Sequence, residues 1–456
     1  MRLNRPTRLL AVAAAVATVA VTAACGGGGG GGTGDTGGTG GAAPAAAACE
    51  PAPAGTKVDL TFTSWVPGMQ KTVDLWNQTH PDIQVKYTEV VGGNDGTYQA
   101  YANQIKAGTT GDLGMLEFDS LPSFRLQNGL ANIGACKPIQ DGIADYPDWT
   151  KSQISFGEQG AVYGVPQDVG PLALYYRKDL FDAAGLTPPT TWDEYAKDAA
   201  VIQGKGALIG NFMPDQPAWF TALAWQNGAR WFNVGADGTW KVDLTDPKTT
   251  QVADYWQKLI DAKQVNTIPG IGDVEWKALD SGQEWTLIGA PWTAKLIETN
   301  VPSTAGKWAV APLPQWTPGA AAGGSWGGSA TVVWANSKHP YEAAQFAIWA
   351  FGDPAALALN NQNGGQFPAH NGQTSLPALS QPYPYFGNQV IWTDFAKAND
   401  QVDPSFTWGP TMTDTFDTLS NGFGQAVNGQ SKLADVLKNA QDKTIATMKA
   451  QAIQVG

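Results

Sequence analysis

Cysteine and histidine are scarce, with three of each in 456 residues. Cys25, Cys49 and Cys136 form no CxxC pair, and His80, His339 and His370 are far apart in the chain. A small disulfide-built scaffold is excluded, and neither a zinc ribbon nor an HExxH-type metal site is expected. Charge is thin as well, at 15% of residues, and acids outnumber bases by 40 to 28 for a net charge of −12. No basic run is present, so nucleic acid is not an expected partner. The apolar stretch at 9–23 is shorter than the roughly 20 residues of a membrane-spanning helix. Glycine and tryptophan, by contrast, are plentiful, at 54 and 19 residues. So many indoles must serve either as core or as binding surface, and the length allows two or three domains with cores of their own.

Arg2, Arg5 and Arg8 ahead of the apolar stretch make 1–24 a signal peptide. Thr22-Ala23-Ala24-Cys25 resembles the bacterial lipobox, which implies lipidation of Cys25 and a membrane anchor. Residues 25–56 then read as the lipidated cysteine and a tether of mainly Gly, Ala, Pro and Thr, spanning about 30 Å as a flexible coil. Its seven glycines from Gly26 contain GxGxxG, but no strand precedes them and no helix follows, so no dinucleotide site is expected. In an oxidising exterior Cys49 and Cys136 are candidates for a disulfide, with a pair of free thiols as the alternative.

Beyond the tether, strand and helix patterns alternate. Val58, Leu60 and Phe62 have the period of a half-buried strand, as do Ile83, Val85 and Tyr87. Tyr98, Tyr101, Ala102 and Ile105 share a helical face, Thr191 to Glu194 reads as a capping box, and Asp246-Pro247 as a helix start. Leu433, Val436, Leu437, Ala440 and Met448 mark a last amphipathic helix. Such alternation points to α/β layers with substantially parallel sheets.

Residues 164–195, GVPQDVGPLALYYRKDLFDAAGLTPPTTWDEY, strongly resemble the solute-binding proteins of bacterial ABC importers, in the cluster that contains maltose-binding protein. Gly111-Asp112-Leu113, Gly289-Ala290-Pro291-Trp292, 308–314 and 324–336 match further elements of that family in order. The resemblance implies two discontinuous α/β lobes joined by hinge crossovers, near 165–170 and 324–329. One lobe would comprise 57–166 plus 327–372, the other 167–326 plus 373–456. It also implies a ligand between the lobes, a membrane permease as partner, no cofactor, and a monomer whose ligand leaves chemically unaltered.

Sugars offer apolar faces to aromatic rings and a girdle of hydroxyls to carboxylates and amides. Trp65 lies just past the first strand, and Asp119 follows the strand at 113–118 where sugar-binding relatives carry a hydroxyl-binding aspartate, although Ser120 replaces the basic residue that follows it in maltose-binding protein. Trp292 lies in the family's cleft element, Asp168 on the first crossover and Trp326 between glycines on the second. Trp225 and Trp408 complete the candidate ligand-binding set, each with core packing as the alternative. Trp76, Trp192, Trp256 and Trp349 fall in helical patterns and are expected in the core. A polyamine or another small solute is the alternative ligand, given the acidic balance. The remaining rivals are a purely adhesive or structural wall protein and two enzymes: a glycosidase using Asp119 and Asp168, and a serine hydrolase using Ser325 of Gly323-x-Ser325-x-Gly327 with Asp353 and His370.

Overall fold

The computed structural model describes residues 49–456 apart from 94, 95 and 236; the signal peptide, Cys25 and most of the tether lie outside the described residues. Ten strands are named in chain order: β1 (Val58–Ser64), β2 (Ile83–Glu89), β3 (Leu113–Glu117), β4 (Val165–Pro171), β5 (Ala173–Arg177), β6 (Phe232–Val234), β7 (Trp240–Val242), β8 (Thr286–Gly289), β9 (Trp308–Pro312) and β10 (Ser325–Val333). They form a five-stranded sheet in the order β2-β1-β3-β10-β4, a three-stranded sheet β8-β5-β9, and the hairpin β6-β7. Among the named strands β1 pairs in parallel with β2 and β3, while β10 runs antiparallel to β3 and β4, and β5 antiparallel to β8 and β9; the single bridges Leu208–Glu284 and Asn211–Asn266 are parallel as well. The parallel expectation holds for β1 to β3 and for those bridges, and is corrected for the pairings of β5 and β10. Alternation of helix and strand reports the β1-to-β3 crossovers, but β10 enters the first sheet from far along the chain, which periodicity does not encode.

Local chemistry accounts for the elements. β1 buries Val58, Leu60 and Phe62 and exposes the residues between them. Helix Met69–Thr79 covers that sheet with Met69, Val73 and Trp76, and the Trp76 indole donates to the Ile83 carbonyl at 2.8 Å. Helix Trp192–Gln203 starts from a complete capping box of Thr191 and Glu194, and helix Pro247–Asp261 from an Asp246 side chain accepting from two backbone N–H groups. Cys49 and Cys136 form a disulfide, and Ala52 N donates to Glu342 at 2.6 Å, so the start of the described chain is held against the first sheet's helices.

β4 and β10 matter most for the site. β4 pairs with β10 from Val165 to Pro171, and one residue later the chain enters β5 of the second sheet. The pairing shifts register between Ser325 and Gly328, where Gly327 and Gly328 have φ of 80° and 102°, a region that side chains strain to adopt. A Cβ on Gly170 would lie 2.0 Å from the Trp326 carbonyl oxygen, so the two strands meet there only through glycine.

Ser325 is the first residue of β10 and fully buried; it accepts from Gly170 N at 3.2 Å and donates to Gly327 O at 3.1 Å. The hydrolase reading fails on this geometry. A nucleophile elbow needs a strand-to-helix turn that exposes the hydroxyl, whereas here the serine sits in a strand with its hydroxyl engaged. His370 is committed elsewhere, accepting from Gly372 N at 3.0 Å and lying 4.0 Å from Asp145.

Candidate functional site: a tryptophan-lined cavity at the strand crossovers

A cavity of about 550 Å³ opens at the ends of β1 and β3, the middle of β4 and the start of β10, beside residues 215–218 and 413–420. That volume is in the range that encloses a small organic ligand, roughly 300–1,000 Å³. Five of the seven candidate ligand-binding residues line it: Trp65, Asp119, Asp168, Trp292 and Trp326.

The indoles are placed by strand ends and by each other. Trp65 follows β1 directly, where the Ser64 hydroxyl accepts from Val66 N at 3.2 Å, and its ring rests edge-on against Tyr98 at 5.8 Å. Trp292 follows β8 and meets Trp326 edge-on at 4.7 Å. Trp326 is 5% exposed, so it supports Trp292 from behind as well as contributing to the wall.

The carboxylates follow from the register. Phe118 turns into the core beside Trp149, so Glu117 and Asp119 on either side of it both face the cavity. The Tyr98 hydroxyl donates to Glu117 Oε2 at 2.9 Å and accepts from Glu117 N at 3.1 Å. In the sheet, Ser329 of β10 lies opposite Glu117 of β3 on one side and Asp168 of β4 on the other. The Ser329 hydroxyl donates to Asp168 Oδ1. Burial pushes the Asp168 carboxyl above the ordinary carboxylate range, partly offset by Ser329 and by the neighbouring Gln366 amide. Asp119 is pushed well above that range by burial and by the negative charge of Glu117.

Trp225 and Trp408 do not reach the cavity, which corrects their assignment. Trp225 is 1% exposed, donates to the Asp403 carbonyl at 3.0 Å and stacks on Phe406 at 4.4 Å. Trp408 packs edge-on against Phe406 and against Phe416, which itself lines the cavity, so Trp408 backs the wall from inside the core. Both lie in segments rich in aromatics, where neighbouring rings supply the core that composition alone could not locate.

Three groups of lining residues escaped the sequence reading. Helix Met412–Val427 presents Thr413, Phe416, Asp417 and Ser420, spaced as one helical face. The period was visible, but a polar face reads as solvated until something is known to stand opposite it. Asp215 and Gln216 precede helix Pro217–Gln226, and Asp215 is held by Gly270 N at 2.8 Å. Gln366 follows the helix Pro354–Gly364; its carbonyl accepts from Asn361 at 2.8 Å, and the next residue, Phe367, accepts from Val169 N of β4 at 3.0 Å. The residue is 4% exposed; its amide lies near enough to Asp168 to lower that carboxyl, although neither amide atom closes a hydrogen bond of normal geometry. No residue-type pattern announces it.

Comparison with known proteins agrees with this architecture. The family model for bacterial extracellular solute-binding proteins matches residues 61–357. A lactose-binding protein of Rhizobium radiobacter is 24% identical over 413 residues, covering 84% of this chain and 92% of that protein. An arabinooligosaccharide-binding protein of Bacillus subtilis (strain 168) is 24% identical over 364 residues, 73% of this chain and 82% of that one. Among solved structures, the galacto-N-biose/lacto-N-biose I-binding protein of an ABC transporter from Bifidobacterium longum, in complex with lacto-N-biose, superposes with a TM-score of 0.79 at 28% identity, over 88% of this chain and all of that one. The superposition bears out a mixed α/β fold of two lobes joined by crossover strands, and the chain belongs to the bacterial extracellular solute-binding proteins.

Proposed function

We infer that this protein captures an oligosaccharide outside the cytoplasm and delivers it, unaltered, to the permease of an ABC importer. The observation that carries the reading is the joint placement of Trp65, Trp292 and Trp326 with Asp119 and Asp168 around one cavity. Indole faces cover the apolar faces of pyranose rings, and carboxylates accept from hydroxyls, so the two residue types together suit a sugar better than an apolar solute. The saccharides named for the relatives, lactose, arabinooligosaccharides and lacto-N-biose, support the class.

In this reading the lobes are 57–166 plus 327–372 and 167–326 plus 373–456, with β4 and β10 as the crossovers. Ligand contacts from both lobes are complete only when the lobes approach, so binding favours closure. Lipidated Cys25 and the tether keep the protein, a monomer, at the outer face of the membrane within reach of the permease. Nothing in the cavity is asked to perform chemistry; its carboxylates hold the ligand.

The test is a thermal-shift screen of the mature protein against lactose, β-1,6-galactobiose, arabinotriose and spermidine. Ligand that binds only the folded state raises Tm with concentration, and a responding saccharide should also lower the radius of gyration in X-ray scattering. A response to spermidine alone would overturn the saccharide reading in favour of a polyamine.

A further inference from the structure

The cavity has a charge character of one sign. Glu117, Asp119, Asp168, Asp215 and Asp417 all line it, and no lysine, arginine or histidine does among the described residues. Three of these acids belong to one sheet face. Glu117 and Asp168 stand on either side of Ser329, about 10 Å apart across two strand spacings, and Asp119 follows two residues after Glu117. The other two come from helical segments, Asp215 ahead of helix Pro217–Gln226 and Asp417 on helix Met412–Val427. Among the described residues Asp119, Asp168, Asp215 and Asp417 take part in no ion pair, every one of which lies elsewhere. Nor do these acids converge as a metal site would, since no group of three is placed to hold a cation.

A second observation concerns what stands among the acids. Gln366 is buried beside Asp168, near enough to lower that carboxyl, yet neither of its amide atoms closes a hydrogen bond of normal geometry, so the amide has capacity left for a ligand oxygen. Leaving a buried donor and acceptor unmade is costly, and a bound group that satisfies them recovers that loss. A neutral hydroxyl can donate to the carboxylates and accept from Gln366 at once. An ammonium can only donate, which the carboxylates accept. A ligand carboxylate or phosphate can do neither task well: one amide cannot offset its charge, and the Asp215 and Asp417 carboxylates line the cavity beside it.

We propose that the cavity is a charge filter, admitting neutral and amine-bearing saccharides and rejecting those that carry a carboxylate or a phosphate. Asp417 and Asp215 set the filter from the side of the helices, while Asp119 and Asp168, whose carboxyls burial holds above the ordinary range, supply hydrogen-bonding groups for ligand hydroxyls on the sheet side. The proposal rests on the saccharide reading above and narrows its substrate class.

Calorimetric titration of the mature protein at pH 7 with three matched probes tests it: β-1,6-galactobiose, its counterpart with one free 2-amino group, and its counterpart with one galacturonate unit. The neutral and amino probes should bind, with the amino probe at least as tight and weakening as salt rises from 20 to 300 mM. The galacturonate probe should bind roughly a hundredfold more weakly than the neutral one, as adjacent like charges in a cleft demand. Asp417 is exposed, so Asp417→Asn removes one charge without disturbing the core, and it should narrow the gap between neutral and acidic probes several-fold. Galacturonate binding within threefold of the neutral probe, or a gap that Asp417→Asn leaves unchanged, would overturn the filter while the saccharide reading stands. Silence toward these three probes, lactose and arabinotriose with binding of spermidine would overturn the saccharide reading instead, and silence toward all six would overturn both.

Discussion

Trp292 and Trp192 are the same residue type in opposite roles, and replacing each with alanine should separate binding from folding. Trp292 is half-buried, lines the cavity and has its ring held edge-on by Trp326 at 4.7 Å. Its removal takes away a stacking face and frees Trp326 to move, with little cavity created because the space is already open. Central aromatic anchors of this kind cost about 2 kcal/mol or more on truncation, which is roughly a thirtyfold weaker complex. Trp192 is 2% exposed, donates to Gln226 at 3.1 Å, and touches Tyr195, Tyr255 and Trp256 edge-on. None of these residues lines the cavity. Truncating it opens a void worth about 3–5 kcal/mol and strips Gln226 Oε1 of its donor. By the usual unfolding entropy per residue, that loss lowers Tm by roughly 4–6 °C in a chain of this size.

Titration of a responding saccharide into both variants, with thermal melts in parallel, reads the two effects separately. Trp292→Ala should lose affinity and keep most of its Tm; Trp192→Ala should keep affinity and lose Tm. A Trp292→Ala protein that binds as tightly as the parent but unfolds far more easily would refute the reasoning, making Trp292 a core residue that merely borders the cavity.

Two further outcomes follow from groups away from the cavity. Glu284 is fully buried with Oε1 accepting from Asn266 at 2.8 Å and Oε2 unpartnered, and burial pushes its carboxyl up to about 8. From about pH 5 to 8 the folded chain keeps a proton that the unfolded chain has lost, so stability falls as pH rises, by up to about 1.4 kcal/mol per unit. Glu284→Gln keeps the Asn266 contact without the titration, so melts should show its advantage over the parent growing from pH 5 to pH 8; a constant difference would rule out Glu284 as the titrating group. For the anchor, Cys25→Ser should leave the protein unacylated and released from the membrane fraction with unchanged saccharide affinity, and a variant still acylated would refute the assignment of Cys25.

How far the sequence reveals the site depends on what kind of constraint places each residue. The family-like stretch at 164–195 locates β4 and hence Asp168, because a strand carries its side chains to alternate faces and one match sets them all. The same holds for Trp65 and Asp119, which sit within two residues of strand ends, and for the capping box at Thr191, a local hydrogen-bond pattern readable from four residues. Trp225 and Trp408 mislead because an indole near glycines or prolines looks available until Phe406 is seen stacked upon it. Gln366, Asp417 and Asp215 are invisible for a different reason. Each is an ordinary polar residue on its own element, and each matters only through what stands across a gap from it, a contact over distances in sequence that no local pattern carries.

That gap also explains why ligand and hinge need no separate wiring in the proposed reading. Asp168 belongs to β4, and Trp326 and Ser329 belong to β10, the two strands through which the chain crosses between sheets. The register shift and the positive φ at Gly327 and Gly328 put the irregular, glycine-built backbone of β10 between Trp326 and Ser329 themselves. A sugar held by Trp326 on one side of that point and by Ser329 and its partner Asp168 on the other restrains the strand at its bend. A ligand can shift a conformational equilibrium only by its difference in affinity for the two states, and contacts on the bending element make that difference large for small movements. Contacts confined to the sheet face around Glu117 and Asp119 would be made equally well in either state and would drive nothing. The indole pair of Trp292 and Trp326 is then the part of the cavity through which stacking energy reaches the crossover, since Trp292 extends from the end of β8 in the second sheet and leans on a ring carried by β10 in the first.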